Sequence, residues 1–469
     1  MPALRCVSQK RGGSRMNRII SRAKILIALI LVLAIGFGCF FCEYLIKSED
    51  WILFPGSPHL YSAGNLGCGL VTDRDGILLL DMRYQRTYTE NELLRKATVH
   101  WLGDRRGSVS APALSHYAMQ IAGFDPINGV FSYGADGGRA EVTLSATAQL
   151  VALEAMADHK GTVTVFNYKT GELICSVTTP TFDPDNVPDL SEDTDGAYDG
   201  IYLNRLTQSV YIPGSIFKIV TAAAALESIP DVLDQKFTCE GTMAFGVDAV
   251  NCTGVHGQIS LKEAFAYSCN CAFAQLSLQL GAEKLEQYAE QFGVLNSIHF
   301  DGIQTVKGNM DAVGEADVQI AWSGIGQHHD QINPCAFMTF VGAIANDGVV
   351  TSPYLVSQIK VGAETTYKAE TGTGDRIMSS TTASVLQEFM RNNVQTVYGD
   401  DRFPGLTVCA KSGTAEVGGG DLPNGTFAGF TMDNNCPLAF VIVVEKSGSG
   451  SGVCLPILSK VLAACRDAI

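Results

Sequence analysis

Apolar residues run without interruption over residues 25–42, eighteen positions with no charge and no strongly polar group. As a helix rising about 1.5 Å per residue, this stretch is about 27 Å long and matches the hydrocarbon layer of a membrane. All-round apolarity together with the basic flank speaks against a buried core helix. A cleaved signal peptide would have a shorter apolar region and a small-x-small site before Glu43. Gly38-Cys39 is a faint lipoprotein-like signal with Gly36 in place of the expected Leu. The pattern therefore predicts a signal anchor.

From Trp51 to Gly138 the apolar runs are short and broken by Gly, Pro and Asn. Residues 69–79 predict a β-hairpin turning at Asp75-Gly76. The expectation for 45–142 is a small, strand-rich module. After Thr143 the patterning strengthens. Residues 146–157 predict a helix, and 162–167 with 172–178 a hairpin around Lys169-Thr170-Gly171. Pro213-Gly214-Ser215 opens a helix reaching about Glu227. Ser260 with Glu263 forms a capping box for a helix over about 261–280. Asn333-Pro334 opens another, closed by Asn346-Asp347-Gly348. Strands are expected at 406–417, 427–432 and 438–445, then a helix at 455–468. Strands near both ends with helices between them predict one sheet in an α/β domain.

Charge sharpens this division. The 469 residues carry a net charge of −15, but residues 1–24 contain seven basic residues and no acid, so the remainder carries −22. Basic flanks stay cytoplasmic, which predicts an extracytoplasmic body after about Tyr44. The expected organisation is a leader (1–24), a transmembrane anchor (25–44), a pedestal (45–142) and one large domain (143–469). Met16-Asn17-Arg18 resembles the start of an ordinary anchor leader. The acidic body excludes general nucleic-acid binding. Residues 183–199 hold seven carboxylates without EF-hand spacing and read as a solvated loop.

Of fourteen cysteines, Cys6, Cys39 and Cys42 belong to the leader and span, leaving eleven outside. An odd number excludes complete pairing within one chain. Cys239 and Cys252 flank a short loop and are the best disulfide candidates, whereas Cys269 and Cys271 are too close to pair easily.

No metal or cofactor is expected. The chain has no His-Glu-x-x-His, no paired Cys-x-x-Cys and no Gly-x-Gly-x-x-Gly between strand and helix, and Cys269-Asn270-Cys271 has the wrong spacing for a zinc knuckle. His328 and His329 are sequence neighbours whose side chains diverge. The serious chemistry is a serine with a lysine one helical turn later. Ser215 and Lys218 share a helix face, and Ser215 sits where free amides favour developing negative charge. Burial can lower a lysine pKa until the amine accepts the serine proton. The spacing alone means little, because Ser21–Lys24 and Ser357–Lys360 match it and composition predicts about two chance hits.

Context supplies the specificity. Ser268-Cys269-Asn270 follows within the second helix region, offering a hydroxyl for proton relay and an amide to hold Lys218 or a substrate carbonyl. Lys411-Ser412-Gly413-Thr414 lies in an expected strand, where Lys411 and Gly413 point to one face. The lysine can attract a carboxylate while Gly leaves room for a substrate backbone at the edge. The backbone amides of Ser215 and Thr414 are candidates for an oxyanion hole. Lys169-Thr170-Gly171 and Lys446-Ser447-Gly448 are decoys of this triplet, one a tight turn and the other a loop.

With these motifs the chain resembles class B penicillin-binding proteins, serine D,D-transpeptidases of bacterial cell-wall synthesis. The similarity extends to residues 211–218, Asn204-Arg205, Gly324-Ile325-Gly326-Gln327, Asn333-Pro334, residues 345–348, Phe427-Ala428-Gly429-Phe430 and Thr72-Asp73-Arg74-Asp75-Gly76. It covers 143–469 well and 45–142 loosely. The resemblance implies a five-stranded antiparallel sheet flanked by helices, raised from the membrane on a pedestal. It implies that Ser215 attacks the penultimate D-Ala carbonyl of a stem peptide, with Lys218 as base and Ser268 and Asn270 relaying protons and positioning substrate. Lys411 and Thr414 would bind the terminal carboxylate, and Ser412 would line the site. β-Lactams would acylate Ser215, and a membrane glycosyltransferase partner follows by analogy only. The pedestal is short and its usual motifs are blurred, so contacts with division or elongation partners do not transfer.

A β-lactamase would share the acylation residues but needs a deacylation base, and no Glu-x-x-Leu-Asn segment follows Asn270. A D,D-carboxypeptidase with water as acceptor is chemically adjacent. From another class, a β-lactam sensor or a cell-wall scaffold would bind without turnover.

Overall fold

Backbone pairing brings the first strands of the large domain against its last ones. The computed structural model describes residues 11–52, 54, 60–62, 65–125, 127–131 and 137–469. Helix α1 (Ala146–Met156) leads into β1 (Gly161–Asn167) and β2 (Leu173–Thr179). The helical middle contains α2 (Lys218–Ser228), α3 (Leu261–Ala266), α4 (Asn270–Leu280), α5 (Pro334–Ala345) and α6 (Ser380–Asn393). Then β3 (Val408–Ala415), β4 (Asn424–Thr431) and β5 (Leu438–Val444) complete an antiparallel sheet, and α7 (Gly450–Asp467) ends the chain. The strand order is β3-β4-β5-β1-β2, with β5 joined to β1 from Leu438 opposite Asn167 to Val444 opposite Gly161.

Every residue of β1, β2, β4 and β5 is buried, because helices cover both faces of the sheet. The period of two separates the faces. Val408, Ala410, Phe427, Phe440 and Ile442 enter a core with α1 and α7. Cys409, Ala428, Phe430, Ala439 and Val441 enter the other, shared with α2, α4 and α5. Lys411, two residues beyond Cys409, points toward these middle helices.

The structure changes two expected helices near the site. The helix expected over 261–280 is broken into α3 and α4, with Ser268 between them at a left-handed φ of 53°. The capping box of Ser260 and Glu263 is present and starts α3. The segment expected to open as α-helix at Ser215 is a 3₁₀ turn, Gly214–Phe217, and α2 begins only at Lys218.

Residues 60–142 are less purely strand-rich than expected. Helix Glu92–Leu102, capped by Asn91 through Leu94 N–H at 3.1 Å, buries Leu94, Ala97, Trp101 and Leu102 on one face. Four strands there, Leu70–Thr72, Leu78–Asp81, Thr87–Tyr88 and Arg139–Val142, form a six-stranded sheet with Val356–Val361 and Glu364–Lys368, while Tyr61–Ser62 and Asn65–Leu66 pair separately. Asp73 ties the two regions together: its fully buried carboxylate accepts from Asp75 and Ile77 N–H and, at 3.0 Å, from Ala146 N–H at the start of α1. The decoy Ser357 lies in this sheet, where its hydroxyl donates to Glu141.

Helix Arg11–Ile52 contains the apolar run, and its Ile, Leu, Val and Phe side chains are exposed. It is long and apolar enough to cross a membrane. The thirteen described cysteines are free thiols, including the expected pair Cys239 and Cys252. Instead of bonding to each other, these two converge with His256 and Cys269.

Candidate active site

The 3₁₀ turn presenting Ser215 is wedged against strand β3. Gly214 adopts φ 59°, and a Cβ there would lie 2.6 Å from the Thr414 carbonyl oxygen. A Cβ at Gly413 would lie 2.3 Å from Thr426 Oγ1 and 3.0 Å from Ile216 N and Pro213 O. Two glycines thus allow a strand edge and a turn to touch, which places Ser215 beside Thr414.

Lys218 is fully buried at the start of α2, with its ammonium nitrogen central to the site. Nζ lies 3.1 Å from Ser215 Oγ, 3.1 Å from Ser268 Oγ, 2.7 Å from Ser268 O and 2.7 Å from Asn270 Oδ1. The Asn270 amide is fixed by its Nδ2 donating to Asn251 O at 2.8 Å, which turns Oδ1 toward the lysine. Burial lowers the Lys218 pKa to about 7, against the opposing influence of the Cys252, Cys269 and Cys271 thiols. A neutral amine has two hydrogens and one lone pair. Ser268 O and Asn270 Oδ1 can only accept, so they take the hydrogens and leave the lone pair for a serine hydroxyl.

Lys411, buried on β3, donates to Ser268 Oγ at 2.9 Å and to Ser412 O at 3.0 Å. Burial and the neighbouring Lys218 charge hold its pKa well below the ordinary lysine range. Ser268 is therefore shared by two lysines. The left-handed conformation between α3 and α4 turns both its carbonyl and its hydroxyl to Lys218.

β3 is an edge strand, and its outward groups alternate. Arg391 donates to Val408 O at 3.0 Å and Asn393 to Ala410 O at 3.2 Å. Tyr398 OH accepts from Ser412 N–H at 2.8 Å and donates to Ser412 Oγ at 3.0 Å. Cover by α6 and the turn after it stops there. At exposed Thr414 the strand edge carries, among the described residues, only a long contact from Gln327 Nε2 to Thr414 O at 3.5 Å. The open part of the edge lies directly beside Ser215.

All the motif residues found by sequence thus come together where the Ser215 turn, the α3–α4 break and β3 meet. Ser215, Lys218, Ser268, Asn270 and Lys411 form a continuous hydrogen-bonded chain, while Ser412, Gly413 and Thr414 line the strand beside it. Sequence reading missed Tyr398 and Asn251, which act by position and carry no motif, and it noted Gln327 only as part of Gly324-Ile325-Gly326-Gln327, with no role at the site. Arg205, singled out beside Asn204, is buried and bonds Glu445 at 2.8 Å, while Tyr211 bonds the same carboxylate oxygen at 2.9 Å. These contacts brace the segment leading to Ser215 against the end of β5.

The arrangement can activate a serine, relay its proton through Ser268 and bind an anion at Lys411, the parts of an acyl-transfer site. Comparison with known proteins points the same way. The peptidoglycan D,D-transpeptidase PbpA of Mycolicibacterium smegmatis is 29% identical over 363 residues, 70% of this chain and 72% of that protein. The D,D-transpeptidase domain structure from Eggerthella lenta is 27% identical at a TM-score of 0.72, covering 85% of this chain and 97% of that one. A ceftriaxone acyl-enzyme structure of penicillin-binding protein A from M. tuberculosis, 24% identical with a TM-score of 0.73 over 85% and 98% of the two chains, shares the fold. Residues 161–463, from the first strand of the sheet to the last helix, match the family model for the penicillin binding protein transpeptidase domain, and the chain belongs to that family.

Proposed function

We propose that this protein is a penicillin-sensitive peptidoglycan D,D-transpeptidase of class B. The observation that carries this reading is the single buried amine of Lys218, bonded at once to Ser215, Ser268 and Asn270. Neutral Lys218 takes the Ser215 proton as Oγ attacks the penultimate D-Ala carbonyl of a stem peptide. The Ser215 and Thr414 amides stabilise the oxyanion. Ser268 passes the proton from Lys218 to the departing amine, so terminal D-Ala leaves neutral at nitrogen and an ester remains on Ser215. An acceptor amine then attacks the ester, gives its proton back along the same path and frees Ser215. Lys411 and Thr414 hold the terminal carboxylate, whose charge also favours the protonated form of Lys411. Ser412 and Gly413 shape the strand along which the peptide lies. β-Lactams carry the same carbonyl and carboxylate and acylate Ser215.

We assign residues 25–44 as a single-pass anchor in a bacterial membrane, with 1–24 cytoplasmic and 45–142 and 143–469 outside as pedestal and catalytic domain. The charge step from +7 to −22 across the apolar helix supports this orientation. A glycosyltransferase partner in that membrane would supply the glycan strands.

Labelling the purified protein with fluorescent penicillin, with Ser215→Ala alongside, tests the acyl-enzyme. Stable label on the wild type alone is expected. Release within seconds would indicate a β-lactamase, and no label would refute the reading. Turnover of a D-Ala-D-Ala peptide with and without an acceptor amine then separates transfer from hydrolysis, and either from a silent sensor.

A further inference from the structure

A cavity of about 230 Å³ opens at the seam between the pedestal and the catalytic domain, and none of the motif residues lines it. Its walls come from helix Glu92–Leu102, residues 108–113, residues 202–208 and strand Ile303–Gln304. No Asp, Glu, Lys or Arg side chain faces it, although the body outside the membrane carries a charge of −22. The volume falls below the roughly 300–1,000 Å³ of clefts that take drug-sized ligands, and it suits a single ring.

Buried groups hold these walls in place. His100 is only 5% exposed; its Nε2 donates to Ile201 O at 2.8 Å, and its carbonyl accepts from Asn204 Nδ2 at 3.4 Å. Nε2 therefore carries the ring hydrogen and Nδ1 the lone pair. Burial brings the ring's pKa down to about 4, against the pull of the Ile201 carbonyl, so Nδ1 is a fixed acceptor at the cavity wall. It has no partner among the described residues. Buried Asn65 pins the 108–113 stretch, donating to Val109 O at 3.3 Å and accepting from Ala111 N–H at 3.1 Å, while Asp104 accepts from Val109 N–H at 2.8 Å. The exposed hydroxyls of Ser108 and Ser110 flank Val109 without partners among the described residues. Gln208 Oε1 is used by Asn204 N–H at 2.7 Å, which leaves Nε2 as a donor. Trp101, whose indole N–H donates to Ser176 O at 3.0 Å, adds apolar wall together with Val109 and Ile303.

We propose that this cavity seats one uncharged, N-acetylated sugar ring of a glycan strand. A charged ligand would lose its hydration there without meeting a counter-charge, which excludes anions and cations. A sugar ring matches what remains. Its C–H face lies on the apolar wall, its hydroxyls meet Ser108, Ser110 and Gln304, its acetamido N–H donates to His100 Nδ1, and its acetamido oxygen accepts from Gln208 Nε2. The pinned walls lose little freedom on binding, so the contacts are not offset by ordering. Asn204 and Gln208 belong to the segment that Arg205 and Tyr211 brace against Glu445 ahead of Ser215. A strand seated at this seam is thereby tethered to the domain that works on its stem peptides. The choice of a glycan strand rests on the transpeptidase reading, whereas the uncharged-sugar chemistry rests on the cavity alone.

Full-length protein, in a detergent without a sugar headgroup, is titrated with the β-1,4-linked disaccharide of N-acetylglucosamine and followed by saturation-transfer NMR. Transfer to the acetamido methyl and a Kd of about 0.1–1 mM are expected. The matching glucose disaccharide, which lacks the acetamido groups, and the cationic glucosamine disaccharide should each bind at least ~10-fold more weakly. Ser110→Trp fills the cavity from an exposed position and should abolish transfer. Gln304→Ala removes one exposed amide and should weaken binding about threefold to tenfold. Both variants should keep a Tm within about 2 °C of wild type, and Gln304→Ala still decides the site if Ser110→Trp fails to fold. Peptide-free glycan strands should compete with the disaccharide; strands that do not compete would overturn the polymer assignment in favour of a released fragment. No transfer at about 10 mM disaccharide, equal binding of the three sugars, or binding unchanged in both variants would overturn the site. Sugar binding by a protein that penicillin does not label would sink the transpeptidase reading and leave the sugar site standing, and labelling without sugar binding would do the reverse.

Discussion

The pH profile of acylation tests the central claim that Lys218 is a neutral base. Burial brings its pKa to about 7, and at pH 7.4 such an amine is neutral in about 70% of molecules. At an ordinary lysine value of about 10.4 the neutral fraction would be about one in a thousand, so burial raises the population of the active form by nearly three orders of magnitude. The deprotonated form does the work, so the rate must rise with pH. Acylation by fluorescent penicillin, followed by rapid quench from about pH 5.5 to 9, should climb nearly tenfold per unit below 7 and level off above about 8. Lys218→Arg retains charge but cannot release its proton, and should acylate at least ~10³-fold more slowly at every pH. A wild-type rate flat over this range, a rate still climbing about tenfold per unit up to pH 9, or an Arg variant within tenfold of wild type would refute the assignment.

The same shift has a thermodynamic sign. In the unfolded chain Lys218 stays protonated up to about pH 10.4, whereas in the fold it loses its proton near 7. The unfolded state therefore binds more protons across that window, and this group's contribution makes stability rise with pH there, by at most about 1.4 kcal/mol per unit. Lys218→Met should be catalytically dead yet more stable than wild type, with the gain in Tm largest below pH 7.

Four other outcomes follow from contacts in and around the site. Tyr398→Phe leaves the Ser412 N–H on the edge of β3 without its partner; a loss of about 1–3 kcal/mol by denaturant melts and weaker acylation are expected, and unchanged values would show the edge is held otherwise. Gly413→Ala drives a methyl into Thr426 and the Ser215 turn, so it should cost about 1–3 kcal/mol and slow acylation more than it lowers Tm. Asp330, almost fully buried with only Ser323 Oγ bonded to its carboxyl, has its pKa pushed well up by burial. Stability is lost as pH rises above the unfolded value of about 4, so Asp330→Asn should raise Tm by a few degrees, more at pH 8 than at pH 5. A β-lactam with its carboxylate esterified loses the partner of Lys411 and should acylate at least ~10²-fold more slowly, with the deficit much reduced in Lys411→Ala.

What was legible in the sequence depended on whether the signal was local. β1, β2 and β5 are buried on both faces and show as apolar runs, and Asn333 before Pro334 announces α5 with a side chain that caps its own helix. Ser215, Lys218, Ser268, Asn270 and Lys411 were found because nucleophile, relay and anion holder each have a characteristic residue type at a familiar spacing. The break at Ser268 was not legible: 261–280 has helical composition, and only the tertiary demand of Lys218 for the Ser268 carbonyl explains the left-handed residue there. Tyr398 was invisible because a phenol completing a strand edge needs no neighbouring pattern. The Cys239, Cys252, His256 and Cys269 group failed for the same reason. Its members are separated by twelve, three and twelve residues, which matches no zinc-finger spacing, so sequence reasoning paired the first two as a disulfide. Three short strands and the α3–α4 break bring them together, and it is the same break that aims Ser268 and Asn270 at Lys218. The catalytic turn and this cluster are thus two sides of one backbone feature, and a perturbation of either should be felt in the other.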